Sequence, residues 1–599
     1  MRVADFIMHY LYDKAGIRNV YMLTGGGAMT LNDSVALHGK FNVICNHHEQ
    51  ACAMSAVGES KLTGMPTLVI PTTGCGGTNT ITGLLDAWQD NLPVIFISGQ
   101  AKTSETTHGF PVPLRQFGVQ EADIITIVQS LTKYAVMLRK SEEILYHLEK
   151  ALHLATSGRP GPVWLDIPLD IQNSKLPSDL APAFAPKDIT PTKEKATEEE
   201  LERFIQLIEN AERPIIIAGN GIRLGKAKEE LDLFLKKNPI PTTASYLSVD
   251  LVPTDNELHI GRLGVKGDRA GNFAVQNADL IVVWGCRLSV ALTGYDFASF
   301  GREAKVIVVD IDPNEHKKGT VRIDYLINAD IKHFLQQLSS QMIRLRDIRQ
   351  WKEKCLHWKK IWPVCSPTYH SERNGVNMYH FIEELANHLK PNSVIVSDAG
   401  SAYYVTSQAI RISEQQRYLT SGAQAEMGFT IPAAIGASMG KDRQEVVAIT
   451  GDGSFQSNIQ ELQTIRHNKL PIKIFVWNND GYLSIQATQT KFFEKRYIGT
   501  DSASGVSFPN TEKIAQAYGL LFVKITGVSD LAQGIEIAMQ HNGPVLCEVI
   551  CPKHQEVIPT LSSKKNEDGK MVSKPIEDMY PFLERQEFLR EMIVRPMPE

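Results

Sequence analysis

Gly451-Asp452-Gly453, answered downstream by Asn478-Asn479 and Asp480-Gly481, is the stretch whose reading decides the fold. A hard divalent cation takes oxygen ligands and keeps phosphate oxygens among them. Asp452 offers a carboxylate, Asn479 an amide carbonyl and Gly481 a backbone carbonyl, which makes these three the candidate metal ligands. Gly451, Gly453 and Ser454 complete the turn that would meet a phosphate. Upstream, Glu445-Val446-Val447-Ala448-Ile449-Thr450 is a short apolar run closed by a glycine turn, the pattern of a buried parallel strand. The stretch from Ser454 to Asn468, with Ile459, Leu462 and Ile465 at helical spacing, predicts a helix whose first turn offers free amides and a positive dipole end to an anion. Ile472-Lys473-Ile474-Phe475-Val476-Trp477 predicts a second strand that delivers Asn478-Asn479 beside the first. One strand, helix, strand unit then puts metal and phosphate at the carboxyl ends of neighbouring strands.

Outside this unit the same alternation recurs. Thr67-Leu68-Val69-Ile70 and Val94-Ile95-Phe96-Ile97-Ser98, then Pro214-Ile215-Ile216-Ile217-Ala218-Gly219 and Val306-Ile307-Val308-Val309-Asp310, then Ser393-Val394-Ile395-Val396-Ser397-Asp398, are β-rich runs separated by helical periods. That predicts an α/β protein of doubly wound parallel sheets. A proline-bearing linker at Ser178 to Glu198 and a charged, irregular stretch at Glu353 to Asn374 divide the chain into 1–180, 195–350 and 370–560, with a polar tail at 561–599. Three domains suit a chain of 599 residues, which exceeds one ordinary core.

Composition narrows the class. Hydrophobic content of 43% and charged content of 22% describe a globular chain, and a net charge of -5 argues against nucleic acid or an anionic membrane as partner. Met1 to Gly16, interrupted by Asp5 and Asp13, reads as an amphipathic helix rather than a signal peptide. No apolar run reaches the roughly 20 residues of a membrane span. Of eight cysteines only Cys547 and Cys551 lie close together, so buried thiols in a reducing cytoplasm are expected.

With that context in place, the segment from Gly451 through Asn458-Ile459-Gln460-Glu461-Leu462-Gln463 to Arg466 resembles the acetohydroxyacid synthase branch of the thiamine diphosphate enzymes. The resemblance implies three domains of that enzyme type, with thiamine diphosphate and Mg²⁺ as cofactors. It makes Glu49, in His47-His48-Glu49-Gln50-Ala51-Cys52-Ala53, the acid that pairs with the aminopyrimidine ring. Thr72-Thr73-Gly74-Cys75-Gly76-Gly77-Thr78-Asn79 resembles the glycine-rich turn near the pyrimidine and substrate, which nominates Thr73 and Asn79. Gln120, in Gln120-Glu121, matches an active-site glutamine, whereas Lys133 reads as a solvated charge. Gly400 and Ser401 resemble a second diphosphate loop, and in the segment Thr420 to Phe429 the resemblance nominates Gly422 and makes Met427 the wedge that bends the cofactor. Pyrimidine and diphosphate domains of such enzymes meet across subunits, which implies a homodimer or homotetramer.

The implied reaction is decarboxylation of a 2-keto acid, with pyruvate expected, and ligation of the acyl unit to a carbonyl acceptor. Tyr482-Leu483-Ser484-Ile485-Gln486-Ala487-Thr488-Gln489 departs from the synthase pattern, which has Met and Trp at Ser484 and Thr488. The departure points to an altered acceptor, a keto-sugar among them. Alternatives are a nonligating decarboxylase, a flavin oxidase and a cofactor-binding regulatory protein. Gly219-Asn220-Gly221, Gly285-Cys286-Arg287 and Asp310-Ile311-Asp312 sit where the synthases bind FAD; a bound FAD and a vestigial nucleotide fold both remain open.

Overall fold

A computed structural model describes residues 1–186, 193–565 and 571–597. Three six-stranded sheets, each wholly parallel, follow one another along the chain. The first contains β1 (Asn19–Met22), β2 (Asn42–Cys45), β3 (Thr67–Ile70), β4 (Val94–Gln100), β5 (Tyr134–Met137) and β6 (Val163–Pro168), in the order β2-β1-β3-β4-β6-β5. The second contains β7 (Pro214–Ala218), β8 (Thr242–Ala244), β9 (His259–Arg262), β10 (Leu280–Trp284), β11 (Lys305–Asp310) and β12 (Tyr325–Asn328), ordered β12-β11-β10-β7-β8-β9. Counted within that sheet alone, this is the order of dinucleotide-binding folds. The third contains β13 (Val394–Ser397), β14 (Arg417–Thr420), β15 (Val446–Gly451), β16 (Ile472–Asn478), β17 (Leu521–Ile525) and β18 (Val545–Ile550), ordered β14-β13-β15-β16-β18-β17. It repeats the strand order of the first.

The expected strands form because helices cover both faces of each sheet, so unbroken apolar runs such as β3 and β4 are buried along their whole length. The first and third domains meet through the helices Glu49–Thr63 and Thr430–Met439. Glycines let the two backbones touch: a Cβ on Gly58 would lie 2.3 Å from the Ala433 carbonyl oxygen, and one on Gly436 only 1.8 Å from that of Ser55. Beside this contact the buried Lys61 ammonium sits 3.1 Å from Asp86 and also pairs with Asp90. Asp90 in turn accepts from the Gly422 amide at 3.0 Å.

Three expectations need correction. The helix foreseen over Ser454 to Asn468 is broken into Asp452–Gln456 and Glu461–Asn468. Between them Asn458 turns inward, donating its amide to the Gly428 carbonyl at 2.9 Å, and the chain proceeds through tight turns instead of α-helical bonds. The charged stretch after 350 is not irregular throughout, because Arg349–Ile361 is a helix that buries Trp351, Cys355 and Trp358 on the middle domain. The tail is not merely polar either: Ile576, Met579, Phe588 and Val594 are buried, and Glu577 pairs with Arg302 at 2.7 Å. Of the linker at Ser178 to Glu198, positions 187–192 lie outside the described residues.

Candidate active site

β15 and β16 run side by side in register and deliver the two halves of the motif to one place. The Asp452 carboxylate is 5% exposed and is ringed by backbone donors. Gly453 N–H donates to Oδ1 at 2.7 Å, while Asn479 and Gly481 N–H donate to Oδ2 at 3.1 and 3.2 Å. Burial outweighs these bonds and raises the carboxyl to about 6. The Asn479 side chain is equally buried and its Nδ2 donates to the Gly481 carbonyl at 2.8 Å. Asp452, Asn479 and Gly481 therefore form one cluster of oxygen-bearing groups. Gly451 has open space where a Cβ would stand, whereas a Cβ on Gly453 would reach within 1.9 Å of the Tyr482 ring.

A second loop adjoins this cluster. Asp398, fully buried at the end of β13, accepts from the Ser454 hydroxyl and from Thr450 Oγ1 at 3.1 Å. Its other oxygen takes the Ala399 N–H at 2.7 Å. Asp398 thereby braces the start of the helix Gly400–Ala409, where Gly400 adopts a left-handed φ of +57°. Ser401 lies in that first turn, and the amides of the ten-residue helix are free to face an anion. Ser454 uses its hydroxyl within the protein, since it also accepts from Gly428 N–H at 2.7 Å. Gly428 follows Met427, which is 39% exposed at the entrance to the helix Thr430–Met439.

The first domain gathers a separate group. Glu49 opens the helix Glu49–Thr63, capped by His48 Nδ1, which accepts from the Gln50 N–H at 3.1 Å. Asn79 Nδ2 donates to Glu49 Oε2 at 3.0 Å, and Gly76 has room for nothing larger because a Cβ there would press on Thr72. Glu461, on the third domain, fixes the loop before Glu49 by accepting from Asn46 Nδ2 and from His47 N–H, both at 2.9 Å. Thr73 donates to Gln100 Oε1 at 2.7 Å and packs against the Gly25-Gly26-Gly27 turn. Gln120, exposed and with φ of +59°, meets Gly74, where a Cβ would lie 2.1 Å from the Gln120 carbonyl oxygen. Sequence reasoning missed Asp398 and Glu461 as bracing groups and the Gly25–Gly27 turn; the triple glycine was the signal available for the last. Lys133 is not a solvated charge, because its ammonium donates to the carbonyls of Ser157 and Arg159 at 2.8 and 2.7 Å, and burial lowers it to about 8.

Gly422 stands apart from both groups. A Cβ there would strike Leu247 of the middle domain at 2.2 Å, and the residue lines a cavity of about 1060 Å³ at the carboxyl ends of β7, β10 and β11. Asn220, Gly221, Gly285, Arg287 and Asp310 line the same cavity.

A parallel α/β protein with a buried glutamate at a helix start in its first domain, a nucleotide-type middle domain and an oxygen-rich loop cluster in its third has the architecture of a cofactor-dependent enzyme. Comparison with known proteins gives the particular family. The family models for the N-terminal TPP-binding domain, the central domain and the C-terminal TPP-binding domain of thiamine pyrophosphate enzymes match residues 1–127, 201–338 and 398–549. Acetolactate synthase 2 of Nicotiana tabacum is 31% identical over 92% of this chain and 82% of its own length. The probable acetolactate synthase large subunit of Methanocaldococcus jannaschii is 31% identical over 92% of both chains. Acetolactate synthase isozyme 2 large subunit of Escherichia coli is 30% identical over 94% of this chain and 97% of its own. The chain belongs to the thiamine pyrophosphate enzyme family, in which thiamine pyrophosphate and thiamine diphosphate are two names for one cofactor.

Proposed function

We propose that the protein decarboxylates a 2-keto acid, pyruvate in the first instance, and ligates the acyl unit to a carbonyl acceptor. The carrying observation is the buried Asp452 carboxylate, held among backbone N–H groups from both halves of the motif with no side-chain cation beside it among the described residues. Such a group suits Mg²⁺, which would offset the cost of burying the charge. A half-turn of the Asn479 amide exchanges its nitrogen for oxygen and aligns that oxygen with the Gly481 carbonyl as the second and third protein ligands. The diphosphate would take the Gly400 and Ser401 amides, and Met427 would support the bend between the cofactor's two rings.

When bound, thiamine diphosphate supplies a carbanion that attacks the keto-acid carbonyl and an electron sink for the pair released with CO₂. Asn79 donates to Glu49 Oε2, which would leave Oε1 to face the pyrimidine nitrogen of the bound cofactor. Gln120 and Thr73 belong to the same side and would orient the substrate. In the ligation the acyl carbon bonds to the acceptor carbonyl carbon, whose oxygen gains a proton. Large apolar side chains are exposed at Val112, Phe117 and Val119 on one flanking loop, and at Ile485 on the helix Leu483–Phe492 with Phe493 and Ile498 just after it. Their exposure supports a homodimer in which Glu49 of one chain would join Asp452 of the other, and burial of these side chains against a second copy would exclude water from the reaction.

The domains we assign are 1–180 for pyrimidine binding, 195–350 for the nucleotide fold and 370–560 for the diphosphate. The cavity of about 1060 Å³ is of the size that holds a nucleotide-bearing ligand such as FAD. No helix among the described residues is long and apolar enough to cross a membrane, and eight free cysteines suit a reducing compartment such as the cytoplasm. The test is incubation with thiamine diphosphate, Mg²⁺, pyruvate and a panel of keto acid, aldehyde and keto-sugar acceptors, read by CO₂ release and mass spectrometry. A ligated product is expected; absence of CO₂ under every condition overturns the reading. An absorption spectrum of the purified protein decides whether a flavin is carried.

A further inference from the structure

The loop after β9, the helix Gly400–Ala409 and the helix Leu483–Phe492 converge beyond the diphosphate loop on two lysines that the proposed chemistry leaves unused. Ser484 starts this line, because its Oγ would lie 3.4 Å from a Cβ on Gly400. Tyr404 is one turn past Gly400 on its helix, and Lys491 is two turns past Ser484 on the other, so both lie toward the same end of the helix pair. Lys266 reaches in from the middle domain, its ammonium 5.6 Å from the Tyr404 ring centre and 3.1 Å from the Val557 carbonyl that accepts from it. Lys491 donates to Ser562 Oγ at 3.4 Å, and the strap between these two anchors is pinned by Leu561 N–H on the Val265 carbonyl at 2.7 Å.

Neither lysine has a carboxylate within ion-pair distance among the described residues. The charged and titratable groups around Lys266 include Lys491, Glu556, Tyr404 and Tyr246, whose hydroxyl accepts from the Lys266 N–H at 3.0 Å, and Glu556 is engaged by the Tyr580 hydroxyl at 3.2 Å. Burial, and then Lys491, lower the Lys266 ammonium to about 8. Lys266 lies over the Tyr404 ring and Lys491 over the Phe492 ring at 5.2 Å; the two like charges repel each other, and an anion placed between them removes that cost.

We propose that Lys266 and Lys491, with Tyr404 beneath, bind the phosphate group of a phosphorylated carbonyl acceptor, such as a keto-sugar phosphate or a sugar joined to a nucleoside diphosphate. This rests on the ligation reading above. Seven residues of helix separate Ser484 from Lys491, about 10 Å at 1.5 Å per residue. A second 2-keto acid carries its carboxylate on the carbon next to its reacting carbonyl and has one charge, so it does not call for two ammonium groups farther along the helix. A phosphate separated from the carbonyl by the length of a sugar does. Ser484 and Thr488, smaller than the Met and Trp of the synthase pattern, leave that sugar its path.

The test is calorimetry on protein loaded with thiamine diphosphate and Mg²⁺, so that the cofactor's own phosphate site is filled. The titrants are fructose 6-phosphate, UDP and pyruvate. The phosphate-bearing titrants are expected to bind more weakly as salt rises. Lys266→Met and Lys491→Gln should each weaken them by about tenfold. Lys491→Arg should retain binding, and the exposed Lys495→Gln should leave it unchanged. Phosphate binding that survives the Lys266→Met, Lys491→Gln double substitution overturns the proposal, as does binding of pyruvate alone. CO₂ release from pyruvate is scored separately, so failure of the reaction reading and failure of this acceptor site give different results.

Discussion

In the cofactor site proposed above, Asp452 is expected to make binding sensitive to pH, and the sign follows from its surroundings. In the protein without cation, burial raises the carboxyl from 3.8 to about 6, a shift worth about 3 kcal/mol. The folded protein therefore keeps this proton at pH values where the unfolded chain has released it. Stability from this one group is present below 3.8 and is lost as pH rises through about 6. Mg²⁺ requires the ionised form, so binding must displace the proton in acid. About nine-tenths of the carboxyl is ionised at pH 7 and about one-tenth at pH 5, which predicts roughly tenfold weaker binding of Mg²⁺ with thiamine diphosphate at the lower pH. Near pH 6 binding should release about half a proton from this group. Calorimetry in two buffers of different ionisation heat measures that release, after the free cofactor's own titration has been subtracted. Asp452→Asn should bind far more weakly and lose the proton release together. Tighter binding in acid, or wild-type proton release no larger than that of Asp452→Asn, would refute the assignment of this carboxylate to the metal.

Glu49→Gln keeps the volume and the contact to Asn79 but cannot donate a carboxylic proton from Oε1; turnover of pyruvate should fall by about a hundredfold or more, while thiamine diphosphate binding followed by tryptophan fluorescence changes little, and retained turnover contradicts the role. Gly436→Ala forces the helices Glu49–Thr63 and Thr430–Met439 apart, since its Cβ would stand 1.8 Å from the Ser55 carbonyl oxygen; overpacking of this kind costs about 1–3 kcal/mol, and a melting temperature equal to wild type would show that the contact is not as close as drawn.

The strands were legible because each is written in contiguous residues, and the approach of Gly451 to Gly453 and Asn479 to Gly481 followed from the pairing of the two strands that carry them. An apolar run between turn residues folds as a buried parallel strand wherever helices cover it, and Gly451 to Gly453 need only an adjacent strand to meet Asn479 to Gly481. The break at Asn458 was not legible, since it depends on the Gly428 carbonyl thirty residues earlier, which no local period records. Trp351, Cys355 and Trp358 carried the helical spacing of Arg349–Ile361, yet the surrounding lysines and arginine masked it. The resemblance nominates Gly422 within the segment Thr420 to Phe429, and its contact with Leu247, from another domain, is not written in that segment. The tail likewise owes its burial to a surface presented by the middle domain, which sequence composition does not reveal.

The two helices that join the first and third domains also explain why the candidate groups hold their geometry. Glu49 is the first residue of one helix, and Met427 and Gly428 lead directly into the other. Close contact at Gly58 and Gly436 fixes these helices backbone against backbone, leaving no long side chain at the contact to flex. Glu461 and Asn458 add polar links from the third domain to the loop of Glu49: Glu461 holds Asn46 and His47, and Asn458 bonds both Gln50 and the Gly428 carbonyl. A displacement of either helix would therefore move Glu49 and Met427 together within a chain. In the dimer proposed above, those two groups belong to different cofactors, so the helix pair is a mechanical link between neighbouring sites as well as a packing contact.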